Sequence, residues 1–264
     1  MLEIVKRHPI VTFFGLTYIF LILGWVIFNA QISYGPLLAA LIVVPIISGR
    51  QGLKDWADQI IRWRVGVRWY VAALLLPLIA TGTGALLAVL VGASATPIQL
   101  SALPELIPEA IFVLLVVGLG EEPGFRGFVI PQLQKRFSAI TATLILAALG
   151  IVWHIPLIVT GDSSWTIVPV IAAGYFIFTW LFNNTNGSVL IAMLFHTAQA
   201  IFGPQIFGAM FSGAEVVTYT LLMSLVYGVI VAVIIAAARN RYLISTTSER
   251  PTTTAKPAGA VVGH

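Results

Sequence analysis

Three short stretches of an otherwise apolar chain carry groups suited to acid–base chemistry. They are Gly120-Glu121-Glu122-Pro123-Gly124-Phe125-Arg126, Val152-Trp153-His154-Ile155-Pro156 and Leu194-Phe195-His196-Thr197-Ala198-Gln199. A carboxylate and two imidazoles can strip a proton from water and drive hydrolysis, with or without a metal. Glu plus two His is also a recognised ligand set for catalytic zinc, which makes Glu121, His154 and His196 the candidate metal ligands and zinc the candidate cofactor. The same groups could instead pass protons through a transporter. Glu122 and Arg126, four residues apart with the acid first, share a helix face in the favourable order. Desolvated, such a pair acts as a structural clamp, because losing one partner strands the other charge. Glu121 points about 100° away, which leaves it as the carboxylate available for general-base work. The bland alternative is that both glutamates sit solvated at a helix end. The chain has no cysteine, so a cysteine nucleophile, a thiolate metal site and a disulfide are all excluded. The His-Glu-x-x-His helix of soluble zinc proteases and the Gly-x-Ser-x-Gly elbow of serine hydrolases are also missing.

The elements that must position these groups are membrane spans. Of 264 residues, 59% are hydrophobic and only 9% charged, against roughly 25% charged in soluble domains. Apolar segments occur at about 10–30, 33–49, 68–92, 104–122, 139–159, 165–183, 188–208 and 216–238. Each is long enough, or nearly so, to cross a hydrocarbon core of roughly 30 Å. The expected fold is therefore all-α, a polytopic transmembrane bundle of about eight spans, with seven and nine kept open because Pro123 and Gly124 interrupt the fourth. A single transmembrane domain is expected over 1–244, with the motif-bearing core at about 104–208. The Thr-, Pro- and Gly-rich stretch 245–264 is expected to be a disordered cytoplasmic tail. Val11–Phe28 is longer than a signal-peptide core and reads as a retained first helix.

Charge sets the orientation. Lys6, Arg7, Arg50, Lys54, Arg62, Arg64, Arg68, Arg126, Lys135, Arg136 and the basic residues after the eighth span all fall on one face of an eight-span chain, whereas the opposite loops hold Glu105, Glu109, Asp162 and Glu215. The positive-inside rule then places both termini in the cytoplasm of a cell-membrane protein. The net charge of +4 reflects this topology, and no nucleic-acid partner is implied. Residues 51–64 alternate charges with Leu53, Trp56, Ile60 and Trp63 and read as an amphipathic interfacial helix. Glu121 and His154 flank the pair Lys135–Arg136 at similar separations, so if both flanks are helical each lies roughly 20 Å from it. His196 follows Ser188, an expected helix N-cap after the turn-forming Asn183–Gly187. All three groups thus fall at membrane depth.

These residues resemble the family of CAAX proteases and bacteriocin-processing (Abi) enzymes, which includes the Ras-converting type II CAAX endoprotease. The resemblance covers about 120–208. The first family motif is two Glu, three variable residues and Arg, and Glu121, Glu122 and Arg126 match it. The second, Phe-x-x-x-His with a following x-Pro, is matched by His154 and Pro156, with Gly150 where Phe is expected. The third, His-x-x-x-Asn/Asp, is matched by His196, with Ala200 at its last position. The resemblance implies an intramembrane endopeptidase in which Glu121 and His154 activate water and Glu122 with Arg126 shapes the site. His196 would then stabilise the oxyanion. It also implies a site between the fourth, fifth and seventh spans. Its expected partners are membrane lipid and a membrane-associated protein or peptide substrate, prenylated in the CAAX case. The family also includes immunity and scaffold proteins, and Ala200 keeps a non-catalytic membrane binding protein open as the alternative. Gln199 is the nearest polar neighbour, on a different helix face. A transporter is the weakest reading, since no inverted repeat is evident.

Overall fold

The computed structural model describes residues 2–237. Among these, eight helices are long and apolar enough to cross a membrane. They are Pro9–Phe28, Gly35–Ile60, Val67–Leu90, Leu103–Gln134, Ala139–Val159, Trp165–Asn184, Val189–Met210 and Ala214–Ala237. The all-α polytopic bundle and the span count expected from the sequence are borne out. The expected tail at 245–264 lies outside the described residues.

The boundaries differ in two places. The second span kinks at Gly49, whose φ of 64° belongs to the left-handed region that glycine tolerates. Residues 50–60 continue beyond the kink as a separate helix carrying the expected amphipathic pattern. Its Trp56 is buried and donates through Nε1 to Pro123 O at 3.0 Å. The fourth span does not stop at Pro123: it runs on to Gln134. Pro123 offers no N–H, yet the helix runs through it, with π-helical turns over Val113–Gly118 before it and over Pro123–Val129 from it onward. Arg126 therefore lies inside the span rather than after it.

Local sequence explains where the helices begin. Ser138 caps the fifth span by accepting from Thr141 N at 3.2 Å, and Ser188 caps the seventh by accepting from Ile191 N at 3.3 Å. The turn before Ser188 uses Asn186 and Gly187, both at positive φ.

Two apolar clusters divide the bundle. One joins the first, second, fourth and fifth spans through Phe13, Val43, Phe125, Phe128, Leu146 and Trp153, and takes in Tyr175 of the sixth and Met193 of the seventh. The other joins the third, sixth, seventh and eighth through Ala80, Ile177, Phe178, Phe195, Tyr219 and Tyr227. Outward-facing residues such as Ile22, Leu86, Leu144 and Leu225 are exposed and apolar, as lipid contact requires. The loops show which ends lie together. At one end Arg62 Nη1 donates to Asn186 O, Ser188 Oγ donates to Arg62 O at 2.7 Å, and Gln134 meets Asn183 at 3.2 Å. At the other, Thr96 N donates to Met210 O at 2.8 Å.

Candidate active site

The acidic motif sits at the seam between the two clusters. Gly120 and Gly124 press the fourth span against the start of the second: a Cβ at 120 would lie 2.5 Å from Ser33 O, and one at 124 would lie 2.6 Å from Pro36 O. This small-x-x-x-small contact fixes the rotation of the fourth span and aims the intervening glutamates at the bundle interior. Glu121 is 4% exposed, Glu122 0% and Arg126 2%. The solvated-helix-end alternative is thereby overturned.

Each charged group is held by a named partner. Arg126 Nη1 lies 2.9 Å from Glu122 Oε2, a charge contact without hydrogen-bond alignment. Its guanidinium centre lies 4.3 Å from the ring of Tyr175 and 3.8 Å from that of Phe178, so that one aromatic from each cluster covers the cation. The other oxygen of Glu122 is 2.7 Å from His196 Nδ1. Glu121 Oε1 accepts from Trp153 Nε1 at 3.1 Å. The buried indole thus orients the carboxylate proposed as base.

His154 Nδ1 is 2.7 Å from Gly150 O. A carbonyl oxygen only accepts, so Nδ1 carries the proton. In the neutral ring the lone pair is then on Nε2. By the same reasoning Nδ1–H of His196 faces Glu122.

One cavity of about 560 Å³ gathers Glu121, Glu122, Arg126, His154 and His196 on a single wall system. The expectation named the fourth, fifth and seventh spans as its boundary. Thr81 of the third, Tyr175 and Phe178 of the sixth, and Tyr219 and Met223 of the eighth also line it. Gln199 and Ala200 both line the cavity, so Gln199 is not turned away as its separate helix face implied. Both departures from the family motifs have a structural reading. Ala200 leaves a methyl group on the wall where the resemblance expects an amide or acid. Gly150 is forced by Tyr175, because a Cβ at 150 would stand 1.8 Å from Tyr175 Oη and 2.2 Å from Cζ. The tyrosine ring thus fills the space that a side chain at 150 would need. Gly150→Ala is expected to cost about 1–3 kcal/mol or more through overpacking, read as a lower thermal midpoint in detergent. Tyr175→Phe should rescue it only partly, since Cζ remains in the way.

The proposed ligands Glu121, His154 and His196 share the cavity but not a coordination shell. Among the described residues no three His, Asp or Glu side chains stand close enough to hold one metal ion. Glu121 and His196 are turned to Trp153 and Glu122 instead. As oriented, these donors do not form a zinc shell.

Trp153, Tyr175 and Phe178 carry no acid–base signal, and sequence reasoning assigned them no role. Only the adjacency of Trp153 to His154 and the unexplained Gly150 hinted at them.

Comparison with known proteins finds two similarities. The chain is 28% identical over 99 residues to CAAX prenyl protease 2 of Methanococcus maripaludis, covering 33% of this chain. The match spans 36% of that protein, about a third of its length. Residues 103–202, which contain all three motifs and with them Glu121, Glu122, Arg126, His154 and His196, match the family described as Type II CAAX prenyl endopeptidase Rce1-like.

Proposed function

We propose that the chain is an intramembrane endopeptidase that hydrolyses a peptide bond of a membrane-associated protein or peptide with Glu121 and His154 as the water-activating pair. The supporting observation is the gathering of this acid–imidazole set, Glu121 buried and His154 half-buried, around one cavity large enough for a short extended peptide. Buried ionisable groups in a span cost several kcal/mol and persist where they serve a site.

In this mechanism Glu121, held by Trp153, accepts a proton from water. His154 Nε2 orients the same water. The hydroxide adds to the carbonyl carbon, and the π electrons move to the carbonyl oxygen. The oxyanion re-forms the C=O bond as the C–N bond breaks, and Glu121 returns its proton to the leaving nitrogen, giving an amine and a carboxylic acid that loses its own proton to water on release. His196, doubly protonated beside Glu122, presents Nε2–H to the oxyanion. The cluster Glu121, Glu122, Arg126 and His196 is then neutral overall, which limits its desolvation cost. Glu122 and Arg126 act as positioning residues through His196.

Prenylated CAAX substrates are one candidate class, since the curated relative is named as a prenyl protease. Both termini are proposed to be cytoplasmic, on the basis of the basic end of the bundle. Ala200 favours a second reading, a binding or immunity protein that keeps the cluster without turnover. Purified protein incubated with a peptide library separates the two. Hydrolysis by wild type, increased by Ala200→Asn by up to about 10²–10³-fold through a restored oxyanion donor, supports the endopeptidase. No cleavage by either protein supports the binding reading.

A further inference from the structure

The cavity is not centred between the two ends of the bundle. Its lining continues past His154 to Asp162, Ser163, Ser164 and Thr166, in the connection after the fifth span, and to Gly208 and Val216 near the start of the eighth. Asp162 and Ser164 are exposed, so this is its mouth. Arg62, Arg64, Arg68, Lys135 and Arg136 occupy the opposite end, identified by the Arg62–Asn186 and Gln134–Asn183 contacts. None of them lines the cavity. His154 is five residues before the end of its helix at Val159, about 8 Å from that face by helical rise. Glu121 lies deeper, roughly 20 Å from the basic end of the fourth span at Gln134 and roughly 27 Å from its other end at Leu103.

We propose that water and substrate reach Glu121 and His154 from the face of the membrane opposite the basic residues. With those residues in the cytoplasm, the substrate is an extracytoplasmic segment of a membrane-anchored or exported chain, which sets aside the prenylated CAAX class named above. The mouth carries Asp162 and no cation, so it accepts neutral or basic peptide more readily than acidic peptide. This rests on the endopeptidase reading for the substrate and on the cavity alone for the side of access.

The absence of cysteine from the natural sequence makes the test direct. Asp162→Cys, Ser164→Cys and Lys54→Cys in the full chain are treated with a membrane-impermeant cationic thiol reagent in intact bacterial spheroplasts and in inverted vesicles. The two mouth variants are expected to react in spheroplasts and Lys54→Cys only in inverted vesicles. A membrane-impermeant quenched-fluorescent peptide library should be cleaved by spheroplasts carrying wild type and not by those carrying Glu121→Gln. Reaction of both mouth variants only in inverted vesicles, or cleavage only there, overturns the proposal. If detergent-solubilised wild type cleaves nothing, the endopeptidase reading falls and the extracytoplasmic substrate with it, while the labelling still decides the side on which the cavity opens.

Discussion

Glu121→Gln is expected to lower peptide hydrolysis by about 10²–10⁴-fold, the usual contribution of a positioned general base, without changing the melting temperature. The substitution keeps the size of the side chain and an oxygen able to accept from Trp153 Nε1, now 3.1 Å from Glu121 Oε1. It removes only the ability to take up a proton. His154→Ala should lose a similar amount, since its Nε2 acts on the same water, and the double variant should be little worse than either single one. Initial rates of purified proteins, normalised to folded protein, check this. Rates of Glu121→Gln within a few fold of wild type would remove Glu121 from the chemistry.

Arg126→Ala should be the most destabilising of the charge substitutions. It removes the cation that lies 2.9 Å from a fully buried carboxylate and empties the space between Tyr175 and Phe178. Breaking a buried pair from one side costs about 3–5 kcal/mol, and the stranded Glu122 would also loosen its hold on His196 at 2.7 Å. Arg64→Ala is the matched control: Arg64 is exposed and only stacks on Trp63 at 5.2 Å. Thermal unfolding of both variants in one detergent should show a large drop for Arg126→Ala and little change for Arg64→Ala. Equal midpoints would show that the buried cluster contributes nothing to folding. Glu122→Gln combined with Arg126→Met, which removes both charges together, should recover part of the loss.

Much of this was legible in the residues themselves. The bundle could be read because apolar runs of spanning length and few charges leave few alternatives. The ionisable residues of the site could be read because a buried Glu, His or Arg needs a reason in a chain this apolar. The helix start at Ser188 was likewise written locally, as a hydroxyl cap after a turn-forming stretch.

What escaped was whatever depends on tertiary packing. Pro123 looked like the end of a span, yet widened turns carry the helix past it and bring Arg126 inside the membrane. The walls contributed by the sixth and eighth spans have no chemical signature, being apolar segments much like any lipid-facing stretch. The link between Gly150 and Tyr175 joins two helices and shows only when the missing Cβ is placed against the hydroxyl. A shared ligand shell for Glu121, His154 and His196 also looked possible from composition. The orientations imposed by Trp153, Gly150 and Glu122 on the three side chains are what keep them from forming one.

The central claim is that Glu121 and His154 deliver water directly to a peptide carbonyl. Its most direct measurement is mass spectrometry of products formed by the purified protein in H₂¹⁸O with hydroxylamine present. Direct attack predicts that each new C-terminal carboxylate carries one ¹⁸O, that no hydroxamate appears, and that Glu121→Gln forms neither product. A hydroxamate product would reveal an acyl-enzyme in place of directly attacking water, and undiminished labelled product from Glu121→Gln would contradict the assignment of the base.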